Sequence, residues 1–229
     1  KTFDFSGIFT DFLKFAAPAK KLQQIDSLSS RGRNSGGVLL LIRNCYAKYV
    51  KQVIIDCENA ITVTIDKSLW GTDKDILLLA CYVPPEGSPA YHGLELKDGI
   101  QILEEAVSAL ISDNNYYLMM FGDFNARTSC EQPNLEDMLN YSPDSEDSDD
   151  VSCRVSQDKV VNAFGRSLLN FCFMFDCLIS NGCCAGDVDG DFTYVSPHGC
   201  SVIDYFILSE ELLLTNLCSM KVCDRIDSW

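Results

Sequence analysis

The chain has 229 residues, of which 47% are hydrophobic and 22% charged, enough apolar sequence for one domain with a core of its own. A formal net charge of −15 argues against simple nucleic-acid binding through bulk electrostatics. The apolar runs of about five to eight residues are far below the roughly 20 that cross a membrane.

The twelve cysteines include no Cys-x-x-Cys pair and no Cys/His group with zinc-site spacing. Several of them lie inside apolar runs, where a free cysteine behaves as a small buried hydrophobic residue. This favours reduced thiols in an intracellular, reducing compartment. Some disulfides remain the alternative.

The first half of the chain predicts buried or alternating strands bounded by Gly, Pro and polar residues. These strands cover residues 36–43, 53–55, 60–65, 76–83 and 117–121. A helix is predicted over 100–111, because its apolar residues recur on one helical face. Pro84 ends the fourth strand, and the fifth leads directly into Gly122 and Asp123.

The second half begins with a polar segment. Between Glu131 and Asp150 there are eight acidic residues and no Lys or Arg, so residues 131–157 predict a flexible surface insertion. A helix over 159–175 follows, then strands over 177–180, 191–195 and 202–208, and a short helix capped by Ser209.

Strands outnumber helices, and several strand pairs have short connections. This pattern predicts an α+β fold in which two packed mixed β-sheets are flanked by helices. We expect one domain over residues 1–229, with the acidic insertion at about 131–157.

Two polar side chains follow the strand over 117–121. Asp123 and Asn125 lie two residues apart, so an extended chain places them on one side. A carboxylate and an amide there can hold a hydrated divalent cation or an attacking water beside a phosphate. Asp204, in an apolar run where an unpartnered carboxylate is costly, is a second acidic position. Metal-assisted phosphodiester chemistry is the leading hypothesis, and an Asx-turn is the structural alternative for 122–125.

Four segments occur in an order that resembles the endonuclease/exonuclease/phosphatase superfamily. They are Gly-Gly-Val-Leu-Leu-Leu-Ile-Arg-Asn at 36–44, Cys-Tyr-Val-Pro-Pro at 81–85, Gly-Asp-Phe-Asn at 122–125 and Ser-Val-Ile-Asp-Tyr at 201–205. With Asn-Ala-Phe-Gly-Arg-Ser-Leu-Leu at 162–169, they are most similar to the apurinic-like endonuclease domain of LINE-type retrotransposons. The resemblance covers nearly the whole chain and implies a four-layer α/β-sandwich, truncated at both ends.

The resemblance also implies roles for individual residues. Asp123 matches the aspartate that orients or deprotonates the attacking water, and Asn125 the asparagine that holds the phosphate or that water. Tyr82 matches a tyrosine that contacts a phosphate oxygen, and Asp204 an aspartate that orients a catalytic histidine. The substrate-side residues match more loosely. They are Thr193, Ser201 and Asn162, and Asn162 has a helix start as its structural alternative.

Two features of the family are missing from the chain. The metal-binding Glu is expected before Lys1, so the metal ligand itself is unknown, and the terminal Ser-Asp-His has only Ser228-Trp229 as its counterpart. We therefore expect this chain by itself to be inactive or weak. The cofactor that the resemblance implies is Mg²⁺, with Mn²⁺ as the alternative.

By this resemblance the parent protein is a DNA-nicking endonuclease with a reverse transcriptase domain in the same chain, access to the nucleus, and no membrane association. Two alternatives stay open. One is a superfamily phosphatase or abasic-site repair nuclease, and the other is a catalytically dead interaction domain. The central expectation is that Asp123, Asn125 and Asp204 act on one phosphate.

Overall fold

A computed structural model describes residues 9–21, 34–57, 59–92, 98–111, 116–133, 154–217 and 219–223. The chain divides into two compact units, Lys1–Phe124 and Asn125–Trp229, called here the first and the second unit. In both, short helices accompany strands paired mostly antiparallel, which is the α+β class that the sequence predicts. The expectation of a single domain stays a prediction.

The first unit contains strands β1 to β8 and helix α1. The strands are β1 (Phe12–Ala17), β2 (Lys20–Lys21), β3 (Asn34–Ser35), β4 (Val38–Arg43), β5 (Val50–Cys57), β6 (Ala60–Ile65), β7 (Asp75–Tyr82) and β8 (Tyr116–Asp123), and the helix is α1 (Gly99–Ile111). Strands β5, β6, β7 and β8 are neighbours in that order in one sheet. The β5–β6 and β6–β7 pairs are antiparallel, and β7–β8 is parallel.

Strand β6 is buried along its whole length, including Thr62 and Thr64. The alternation in its sequence is typical of a strand with one solvent-facing side, but both sides are covered here. The antiparallel β1–β4 pair contacts β6 and β7. Helix α1 supplies Ile102 and Leu103 to a cleft that is also lined by Ala60 of β6.

The second unit contains helices α2 and α3 and strands β9 to β12. They are α2 (Ala163–Met174), β9 (Cys177–Ile179), β10 (Tyr194–Ser196), β11 (Gly199–Ser201), β12 (Asp204–Ser209) and α3 (Glu210–Thr215). Strand β12 pairs antiparallel with β9, and β10 forms a hairpin with β11. Helix α2 packs on β9.

Helix α2 and strand β12 are among the elements that begin later than predicted, because side-chain acceptors bind backbone N–H groups at their starts. Helix α2 starts at residue 163, after Asn162 caps it by accepting the Gly165 N–H at 2.7 Å. Strand β12 starts at Asp204 because Asp158 accepts the Val202 N–H at 3.1 Å and Thr193 accepts those of residues 203 and 204. Residues 199–201 form the separate strand β11.

Residues 134–153 of the predicted acidic insertion lie outside the described residues. Beyond them the chain is packed, since Arg154 and Ser156 are 4% and 1% exposed. The Val155 N–H donates to the carbonyl of Gly182 at 2.9 Å. Residues 154–157 are therefore anchored in the second unit by the buried Arg154 and Ser156, and do not belong to a flexible insertion. Among the described residues, no helix is both long and apolar enough to span a bilayer.

Candidate functional site

Tyr82 and Asp123 are register partners at the carboxyl ends of the parallel strands β7 and β8. Register partners on neighbouring strands point to the same face of a sheet, so the phenol and the carboxylate project side by side. Both residues are partly exposed. One residue after β7 ends, the Val83 N–H donates to the carbonyl of Asp123 at 2.7 Å. This hydrogen bond holds the two strand ends together.

Asn59 joins this pair from the turn between β5 and β6. The Tyr82 N–H donates to the carbonyl of Asn59 at 2.7 Å. Gly36, which has a φ of +78°, leaves room for both side chains, because a Cβ there would lie 2.8 Å from Asn59 Oδ1 and 3.6 Å from the Tyr82 ring. Asn59 is thus a third polar group beside Tyr82, and sequence reasoning missed it because a single turn asparagine carries no pattern.

A small cleft of about 60 Å³ opens beside Tyr82, lined mainly by apolar atoms from Val83, Ile102 and Tyr91. The Tyr91 hydroxyl donates to the carbonyl of Pro84 at 2.6 Å. Burial, helped by the nearby Asp98 and Tyr82, raises the pKa of Tyr91 well above its usual value. Tyr91 therefore stays a neutral support for the Pro84 turn that follows Tyr82.

In the second unit, Asp204 and Thr193 are in direct contact. Thr193 Oγ1 accepts the N–H groups of Ile203 and Asp204 at 3.1 Å and 3.0 Å, and the Thr193 N–H donates to the carbonyl of Ser201 at 3.2 Å. Burial raises the pKa of Asp204, and the hydrogen bond from the Thr193 side chain lowers it by less. Asp204, Thr193 and Ser201, three of the residues singled out from the sequence, are therefore neighbours here.

Asn181 secures the strand that carries Asp204. Its Nδ2 donates to the carbonyl of Asp204 at 3.2 Å, and its Oδ1 accepts the Phe206 N–H at 3.0 Å. The Asn-Gly pair at 181–182 indicates a turn in the sequence. The turn is present, but the buried asparagine side chain also bridges to β12, which local sequence does not reveal.

Asn125 begins a loop that Asn162 holds in place. Asn125 has a positive φ of 48°, which asparagine tolerates better than most residues. Asn162 Nδ2 donates to the carbonyl of Asn125 at 3.2 Å, and Asn162 Oδ1 accepts the Arg127 N–H at 2.9 Å. Since Asn162 also caps α2, its contacts favour the structural alternative over substrate binding.

Asp158 and Tyr205 connect the Asn125 loop to the Asp204 segment. Asp158 is 2% exposed. It accepts two hydrogen bonds from the Arg127 guanidinium, at 2.7 Å and 2.6 Å, and one from the Val202 N–H at 3.1 Å. Burial raises the pKa of Asp158, but Arg127 together with the backbone donors lowers it by more. The Tyr205 hydroxyl accepts from Thr128 Oγ1 at 3.1 Å and donates to the carbonyl of Val202 at 2.8 Å.

The structure thus assembles the candidate residues in two groups. Tyr82 and Asp123, with Asn59, are neighbours in the first unit. Asn125 and Asp204 belong to the second unit, where buried side chains hold their two segments together. That second network was not predicted, because its donors and acceptors are far apart in sequence.

The resemblance implies Mg²⁺, and the described side chains show which residues could bind it. Within the part of the chain that the structure describes, no three His, Cys, Asp or Glu side chains are grouped as a metal site. Mg²⁺, however, is commonly bound by one or two carboxylates together with waters and substrate phosphates. Asp123, a partly exposed carboxylate at a strand end, fits a site of that sparse kind.

Comparison with known proteins gives no family-model match and no curated protein match. Among solved structures, the chain is similar to the endonuclease domain of TRAS1, a telomere-specific non-LTR retrotransposon, with 16% identity and a TM-score of 0.48 over 90% of this chain and 68% of that one. It is also similar to ANGEL2, a 2′,3′-cyclic phosphatase, with 11% identity and a TM-score of 0.42 over 88% of this chain and 63% of that one. Both TM-scores are below 0.5, so neither similarity assigns an activity to this chain.

Proposed function

We propose that this chain is a metal-dependent phosphodiesterase, specifically a DNA-nicking endonuclease domain of a retrotransposon polyprotein. The observation that carries the proposal is the register pairing of Tyr82 with Asp123 at the ends of β7 and β8. It places a phenol and a partly exposed carboxylate side by side on one sheet face. The order of the four sequence segments supports the same chemistry.

Hydrolysis of a phosphodiester requires a positioned water, neutralisation of the phosphate oxygens and stabilisation of the leaving oxygen. In this proposal Asp123 orients the water and accepts its proton, while Tyr82 donates a hydrogen bond to a phosphate oxygen. Asn125 donates its side-chain amide to the phosphate or to the water. Bound Mg²⁺, with Asp123 as a ligand, would supply positive charge against the phosphate oxygens.

Asp204 has a positioning role in the proposal. Its carboxylate is half-buried and receives a hydrogen bond from Thr193, while Asn181 fixes its backbone. A carboxylate held this way keeps its orientation and can accept a hydrogen bond from a neighbouring acid–base group. This makes Asp204 a support for catalysis through another group.

A nicking assay tests the proposal. The chain, in molar excess over supercoiled plasmid, is incubated with Mg²⁺ or with EDTA. We expect slow conversion to open circles with Mg²⁺ only. Asp123→Asn should lower the rate by about 10²- to 10³-fold, the cost typical of losing one preorganised electrostatic group.

The matched control is Glu105→Gln, which removes an exposed carboxylate from α1 and should leave the rate unchanged. Equal rates for wild type and Asp123→Asn would refute the proposed role of Asp123. Parallel reactions with an abasic-site duplex and with a phosphomonoester separate the related activities. Preferential turnover of either substrate would replace the DNA-nicking assignment.

A further inference from the structure

Asn59 extends the row of polar residues that Tyr82 and Asp123 begin in the first unit. The last register pair of β6 with β7 at this end is Ala60 with Cys81, so Asn59, one residue before β6, lies opposite Tyr82. The Tyr82 N–H donates to the carbonyl of Asn59 at 2.7 Å, which continues the ladder to this position. Residues opposite one another on neighbouring strands share a sheet face. Asn59, Tyr82 and Asp123 therefore form one row across the ends of three strands.

The side chains of Asn59 and Tyr82 border the same small space above Gly36. A Cβ added to Gly36 would lie 2.8 Å from Asn59 Oδ1 and 3.6 Å from the Tyr82 ring. Gly36 has a φ of +78°, in the left-handed region that favours glycine, and it contributes no side chain to this space. The Asn59 amide and the Tyr82 ring are therefore neighbours.

The local backbone does not account for an asparagine at position 59. A turn asparagine commonly serves the backbone, through a left-handed φ or through an Asx hydrogen bond. Asn59 does not have a positive φ, and its side chain makes no hydrogen bond to any residue that the structure describes. It is partly exposed, so its amide can reach a ligand on the face that carries Tyr82.

We propose that Asn59 donates its side-chain amide to the phosphate next to the scissile one, an inference that rests on the proposed nuclease function. Two strand spacings separate Asn59 from Asp123, about 10 Å along the row, with Tyr82 between them. Tyr82 and Asp123 act on the scissile phosphate and its water, so the amide beyond Tyr82 faces the adjoining phosphate of the same strand. Asparagine is a common phosphate donor, and such contacts fix the register of the DNA without reading its sequence.

The test is single-turnover nicking of a short end-labelled duplex with Mg²⁺ over a range of protein concentrations. Asn59→Ala should raise the half-saturating concentration by about 10-fold or more, the effect of losing a hydrogen bond to a charged group. The loss should appear there and not in the maximal rate, as for a binding contact. Asn59→Asp, which places a carboxylate against the phosphate, should raise the half-saturating concentration further. Gln101→Ala, which removes an exposed amide from α1, is the matched control and should behave as the wild type.

Neutral methylphosphonates, placed singly on either side of the mapped nick, identify the phosphate. At the contacted position the difference between wild type and Asn59→Asp should disappear. A difference that persists at both flanking positions would overturn the inference, as would a wild-type half-saturating concentration for Asn59→Ala, with folding of both variants checked by circular dichroism. If the wild type nicks and Asp123→Asn is slow, such a result refutes the role of Asn59 alone. No nicking by the wild type would refute the proposed function as well.

Discussion

Among single residues, Asp204 shows how a candidate catalytic group reduces the stability of its own fold. Burial raises the pKa of its carboxyl, and the Thr193 hydroxyl offsets only part of that effect. A carboxyl with a raised folded-state pKa stabilises the fold below its unfolded pKa of about 4. This contribution is lost as the pH rises through the folded-state pKa, so at neutral pH the ionised Asp204 is a cost.

Asp204→Asn should therefore raise the thermal unfolding midpoint at pH 7 while lowering the nicking rate. Below about pH 4, where the wild-type carboxyl is protonated in both states, the gain in stability should vanish. Thermal denaturation from pH 3 to pH 7 measures the first effect, and the plasmid assay measures the second. A lower midpoint at pH 7 would show that the carboxylate stabilises the fold.

At the scale of elements, the start of α2 supports the loop that carries Asn125. Asn162 caps the helix and also binds residues 125 and 127, so one side chain joins two segments. Gly165 lets the loop approach closely, because a Cβ there would lie 1.8 Å from the carbonyl oxygen of Arg127. The first turn of α2 and this loop therefore form one packed piece.

Gly165→Ala should destabilise the protein by about 1–3 kcal/mol, the usual cost of forcing an extra methyl group into a packed site. The displaced loop should also lower the nicking rate. Urea denaturation measures the stability, and Arg166→Ala, which truncates an exposed residue on the same helix, is the control. A Gly165→Ala protein of wild-type stability would mean that the loop and the helix separate freely.

The Arg127–Asp158 pair joins the Asn125 loop to the segment before β12, and it predicts acid sensitivity. Because the folded-state pKa of Asp158 is lowered, its stabilisation is present above the unfolded pKa of about 4. It is lost as the pH falls through the folded-state value. The wild type should therefore lose unfolding free energy on acidification, in part through this residue.

Asp158→Asn should lower the unfolding free energy at pH 7 by about 1.5–3 kcal/mol, the usual contribution of hydrogen bonds to a charged group, since Asp158 is buried while Arg127 is 31% exposed. The variant should also lose less unfolding free energy than the wild type between pH 5 and pH 3. Asp66→Asn, at the solvent-screened pair with Lys51, is the control and should have a much smaller effect. Identical acid profiles for wild type and Asp158→Asn would contradict the assignment.

At the scale of the whole molecule, the sequence predicts elements whose signals are local. The end of β7 is predicted to within one residue because Pro84 interrupts its apolar run, and the apolar face of α1 is visible from its spacing. Strand β8, however, continues through Gly122 to Asp123, two residues beyond its predicted end. The start of β12 was not predicted, because its position depends on contacts with distant residues. The Val202 N–H donates to Asp158, 44 residues away, and the Ile203 N–H donates to Thr193, 10 residues away. Asn59 and Asn181 were missed for the same reason, because their partners are set by the fold.

Tyr82 and Asp123, the register partners at the ends of β7 and β8, are proposed to act in one catalytic step. The most direct test is a double-mutant cycle on the single-turnover nicking rate, with Tyr82→Phe, Asp123→Ala and the double variant. Residues that act as a unit are strongly non-additive, so the double variant should be little slower than the slower single variant. Rate losses that multiply would show that the phenol and the carboxylate act independently.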